Sequence, residues 1–144
     1  DFGKEEQDAK EKGSRQSQLR QWPIQLHLIS PMAPYYQKSD IVISADCVAY
    51  SMGDFHKDYL KGKSIAIGCP KLDEGQDTYT EKIKSLIEDA KVNTITVMTM
   101  EVPCCAGLVS LVQEALHSAK KKVPVKSIVV SIKGGDILSE EWVS

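Results

Sequence analysis

No uninterrupted apolar run in this chain approaches the roughly 18 residues that a membrane-spanning helix needs. No basic-then-apolar leader is present either, so nothing points to secretion and a cytoplasmic location is expected. Charge of one sign is also missing. Eighteen Lys and Arg stand against 20 Asp and Glu, a net charge of -2, which leaves no electrostatic footprint for nucleic acid. The phosphate-cradling strings G-x-G-x-x-G and G-x-x-x-x-G-K-[ST] are absent, so nucleotide binding has no positive signal. The nucleophile elbow G-x-S-x-G is absent too, which argues against the usual hydrolase on an α/β sheet. No internal repeat is apparent. What remains is an ordinary globular composition, 42% apolar and 26% charged over 144 residues, enough for one domain with a tail.

Residues 1 to 16 contain almost no apolar side chains and read as a charged flexible linker or tail, because such a stretch cannot bury enough surface to offset its ordering entropy. The chain opens on Asp1, which fits a domain excised from a larger protein. Residues 17–144 read as a single α/β domain. Five strands are expected: Ile24–Ile29, Ile41–Ala45, Ser64–Ile67, Thr94–Met98 and Ile128–Val130, four of them short apolar runs rich in β-branched residues. Helical signals lie between them. Thr78 and Glu81 fit a capping box ahead of Ile83, Leu86, Ile87 and Ala90 at helical spacing. Leu108, Leu111, Val112, Ala115 and Ala119 make a second stripe, with Lys120, Lys121 and Lys122 in its last turn, where the helix dipole favours cations. A weaker helix covers Gly53 to Leu60. Strands alternating with helices predict a three-layer α/β sandwich with a five-stranded, mostly parallel sheet of Rossmann or flavodoxin type.

Four cysteines are the unusual item. Cys47 follows the second expected strand, Cys69 the third, and Cys104 and Cys105 the fourth. In an open parallel sheet all carboxyl strand ends share one edge, and ligands bind in the crevice there. Residues 22 positions (69 − 47) and 35 positions (104 − 69) apart should therefore converge. Iron–sulfur clusters take thiolate ligands, usually four, so Cys47, Cys69, Cys104 and Cys105 are candidate ligands. Zinc is a weaker alternative, since structural zinc favours C-x-x-C pairs and none exists. Cys104 and Cys105 precede a helix whose N-terminal amides favour a thiolate, which makes either a candidate metal-free nucleophile or persulfide carrier. The third reading is a non-catalytic interaction domain with buried cysteines. His56, in GDFHKD, is a candidate fourth ligand or proton relay, and Glu101 a candidate base. His27 and His117 read as structural.

The strings SQLRQWPIQLHLISPMAPYY, ADCVAYSMGDFHKDYLKGK, IGCPKLD and MEVPCCAGLV resemble the C-terminal domain of ferredoxin-like 4Fe-4S iron–sulfur cluster-binding proteins of anaerobic prokaryotes, over residues 17–132. The resemblance implies a 4Fe-4S cluster, electron transport, an upstream ferredoxin module or other redox protein as partner, and a role as a component of an iron–sulfur oxidoreductase. Ala106-Gly107 stands where that family carries Gly-Gly. The spacing from Cys69 to Cys104-Cys105 is also similar to part of the cysteine-rich motif of heterodisulfide-reductase-type subunits, without its closing C-x-x-C.

Overall fold

The computed structural model describes residues 14–144. Its centre is a five-stranded sheet in the order β2-β1-β3-β4-β5. The strands are β1 (Asp40–Ala45), β2 (Ser64–Gly68), β3 (Thr94–Met100), β4 (Val125–Val130) and β5 (Ile137–Trp142). The first four are parallel, and β5 runs antiparallel to β4. Near-continuous burial of the strands β1, β2 and β3 matches their apolar runs, as expected for a parallel sheet covered on both faces. The crossovers carry a short α1 (Val48–Ser51) and a π-helical turn (His56–Leu60), then α2 (Gln76–Glu88) and α3 (Pro103–Ser118). Helices α2 and α3 pack against each other. Right-handed crossovers put them on one face and the β1–β2 connection on the other, because the chain steps in opposite directions from β1 to β2 and from β2 to β3.

The Ile24–Ile29 strand does not form. Only Gln25 bridges to Ile67, and the chain then turns, with the amides of Leu28 and Ile29 donating to Gln25 O at 2.8 and 3.0 Å. The turn buries Leu26 and Ile29 together, three apart as in one helical turn, and leaves Leu28 68% exposed. Strict alternation would have put Leu26 and Leu28 on the same face. The fifth strand is instead β5, mostly exposed and reached through Gly134 and Gly135, both at positive φ.

Helix α2 starts at Gln76 with Gly75 as its N-cap in the left-handed region, not at Thr78. Thr78 is already helical, its amide bonding to Gly75 O at 2.9 Å. Helix α3 stops at Ser118, before the lysines. Lys122 still serves its carboxyl end, Nζ donating to the carbonyls of Leu116 at 2.6 Å, His117 at 3.3 Å and Ala119 at 3.4 Å. The Gly53–Leu60 helix is reduced to the π-helical turn.

The linker assigned to residues 1–16 falls mostly outside the described residues. Its described end is held to the domain, with Arg15 Nε on Asp54 Oδ1 at 3.0 Å. Among the described residues no helix is long and apolar enough to cross a membrane.

Candidate functional site

The strand order reverses between β1 and β3, and this switch point is where an open α/β sheet offers its crevice. Cys47 leaves the end of β1 as the N-cap of α1, and Cys104 and Cys105 lie in the first turn of α3, just past β3. On the other side of β1, Ala45 pairs with Gly68, so Cys47 and Cys69 are offset by one residue in neighbouring strand extensions. The sheet thus carries all four cysteines to one edge.

Their environments differ. Cys47 and Cys104 are exposed, Cys69 is half-buried and Cys105 is buried, 7% exposed. Burial pushes the Cys105 thiol up, with Cys104 and Cys47 adding electrostatically and a backbone contact to Met100 opposing. This runs against a reactive Cys105 thiolate. It also shows that Cys47, Cys104 and Cys105 sit within interaction range of one another. The Cys69 loop reaches the same place: a Cβ on Gly107 of α3 would meet the Pro70 ring at 3.3 Å. Glycine at position 107 therefore lets the loop after β2 lie close on the first turns of α3.

Sequence reading passed over the residue that shapes this loop. Asp73 accepts the Cys69 amide at 2.9 Å and returns its own amide to Cys69 O at 2.8 Å. Tyr79 OH, buried on α2, donates to the same carboxylate oxygen. The C-P-x-x-D spacing was the available signal, since an Asp carboxylate readily closes a turn on a backbone amide. Asp73 also repels Asp46, whose carboxyl is pushed up first by burial and then by that charge, while a bond from Gln25 opposes. Asp46 Oδ1 is buried with no hydrogen-bond partner.

The two polar candidates are taken up by other contacts. His56 Nδ1 accepts the Gln18 amide at 3.0 Å, and its ring lines a cavity whose walls include no cysteine. Glu101 Oε1 accepts the Ile132 amide at 3.0 Å and the Ser131 hydroxyl at 3.4 Å, tying the end of β3 to the β4–β5 turn. His27 bonds to Glu74 O at 2.5 Å and packs at a tilt against the Tyr79 ring. Among the described residues no three His, Cys, Asp or Glu side chains are gathered as a metal site.

A four-stranded parallel core with an antiparallel edge strand and a crevice at the β1/β3 switch point defines a Rossmann-like protein. The chain belongs to that family: residues 33–144 match the family described as a Rossmann-like domain. It is similar to an uncharacterized protein of Archaeoglobus fulgidus, 32% identical over 117 residues and covering 81% of each chain. No solved structure matches it.

Proposed function

We propose that this is the thiol-bearing redox domain of a ferredoxin-like electron-transfer protein, holding an iron–sulfur cluster through Cys47, Cys69, Cys104 and Cys105. The observation that supports it most is the delivery of all four thiols to one edge by three adjacent strands, β2, β1 and β3. The resemblance of residues 17–132 to cluster-binding domains agrees with this. The donor chemistry suits iron: four soft sulfurs and no C-x-x-C pair of the zinc type. The arrangement as folded does not make a cage, because Cys105 points into the core and no three ligand side chains are gathered. Loading therefore needs Cys105 turned outward, or three ligands from the exposed Cys47 and Cys104 and the half-buried Cys69. When bound, such a cluster supplies one-electron transfer. An upstream ferredoxin module is the proposed partner.

Protein purified and reconstituted without oxygen should be brown, absorb broadly near ~400 nm, and carry iron and sulfide in stoichiometric amounts. Colourless, iron-free protein after reconstitution defeats this reading. A second reading is favoured by one observation. Cys104 is exposed in the first turn of a 16-residue helix, the place for a metal-free nucleophile or persulfide carrier. That reading predicts a single fast-reacting thiol at Cys104 in iron-free protein.

A further inference from the structure

A cavity of about 600 Å³ lies beside the cysteine edge but outside it. Its size is that of small-molecule sites, which run to roughly 300–1,000 Å³. Its walls are largely apolar and come from separate parts of the chain: Ile24 before the sheet, Met52, Phe55 and Leu60 in the first crossover, and Ile65 and Ile67 on β2. Asp46, at the end of β1, also lines it, and Oδ1 of that carboxylate is buried without a partner. Interiors normally close-pack, and buried polar atoms normally find partners. The second rule is broken at Asp46, on the wall of this solvent-open cavity, so a donor bound there would satisfy the carboxylate once its side chain turns outward.

We propose that this cavity binds a small organic molecule with an apolar ring or chain and an N–H donor directed at the Asp46 carboxylate, an amine or amidine being the simplest type. The sign of the charges selects the donor. The charge that acts on Asp46 is another acid, Asp73, which raises its carboxyl further after burial. The cations at the rim are matched by acids: Arg15 meets Asp54 at 3.0 Å, and Lys57 lies 3.8 Å from both Asp54 and Asp58. An anionic ligand would face an uncompensated carboxylate, and the glycine-rich loop that a phosphate would need is absent. The site is independent of any cluster, since no cysteine lines it.

The probe is benzamidine, with benzoate as its anionic counterpart of the same shape. In a ¹H–¹⁵N NMR titration of the full chain, benzamidine should shift the amides of Ser44–Asp46, Phe55–Lys57 and Ile65–Ile67 saturably, and benzoate should leave them in place. Asp46→Asn should weaken benzamidine by about tenfold, the loss of a hydrogen bond to a charged group. Ala49→Trp, which adds bulk to the cavity wall from an exposed position, should abolish binding and keeps the test valid if Asp46→Asn fails to fold. Equal binding of the two probes, no saturable shift with benzamidine, or undiminished binding in a folded variant would overturn the proposal.

Discussion

At the scale of single residues, the positions of the cysteines were legible in the sequence and their environments were not. Parallel topology fixes which end of each strand faces the crevice, so Cys47, Cys69 and Cys104 follow from strand assignment alone. Whether Cys104 or Cys105 turns inward depends on the phase at which α3 leaves β3, and no periodicity of neighbouring residues reports that phase. Alkylation makes the difference measurable. In metal-free protein at neutral pH, Cys47 and Cys104 should react faster than Cys105 by about tenfold or more, because burial both shields Cys105 and pushes its thiol up. Peptide mapping after timed iodoacetamide quenching reads this directly, and equal rates would show that Cys105 is not buried in solution. Asp46 gives a pH signature. Its folded pKa lies above the unfolded value, so the folded state binds the proton more tightly and the contribution of Asp46 to stability declines as pH rises past the usual aspartate range. Asp46→Asn should therefore gain stability relative to the parent as pH rises from about 4 toward 7. Urea melts of both proteins across that range test it, and parallel curves would count against the burial of this carboxylate.

Among the elements, β1, β2, β3 and β4 and the helices α2 and α3 were legible, since each presents a buried run or stripe long enough to show its period. The failures occur where a segment is short and half-covered. Ile24–Ile29 had strand-like residues but met only the outer edge of β2, and a turn buried its apolar pair better. Strand β5 carries Glu140 and Glu141 and little apolar pattern, so its one clear mark was Gly134-Gly135, a two-residue signal for a hairpin turn. That turn also braces the site. A Cβ on Gly135 would lie 2.1 Å from Ser51 O, at the end of the helix that begins beside Cys47. Gly135→Ala should cost at least ~2 kcal/mol from the left-handed backbone and the clash together, lowering Tm by roughly 5 °C or more. Gly62→Ala, at a similar φ of +78 but with open space around its Cβ, should cost only about 1 kcal/mol. Similar Tm values for the two variants would show that the Ser51 contact is not tight.

For the molecule as a whole, a sheet needs both edges closed, and this fold closes them by different means. At the β5 edge, exposed acids and the Lys126–Glu140 ion pair at 2.5 Å oppose pairing with another chain. At the β2 edge the closure comes from the segment before the sheet. Ile67 N donates to Ile24 O and Leu26 N to Ile67 O, both at 2.8 Å, while the buried side chain of Gln21 stands in for a strand. Its Oε1 accepts Ile65 N at 2.8 Å, and its Nε2 donates to Ile65 O at 2.9 Å and Tyr36 OH at 2.7 Å. A buried glutamine acting as backbone has no sequence pattern of its own, which is why this role was invisible beforehand. Gln21→Ala removes these bonds and leaves the Ile65 amide without a partner, while Ile65 O keeps the Tyr36 hydroxyl at 3.0 Å, so it should cost about 2 kcal/mol. It should also make the Ile65 amide exchange with solvent deuterium at a rate decoupled from global unfolding. A chain shortened to begin at Ile24 should show the same local exchange and, because the Ile65 stretch of the β2 edge is then open, self-associate with rising concentration in light scattering. If the shortened chain stays monomeric and Ile65 keeps its protection, the β2 edge is closed by its own short length, and Gln21 contributes packing alone.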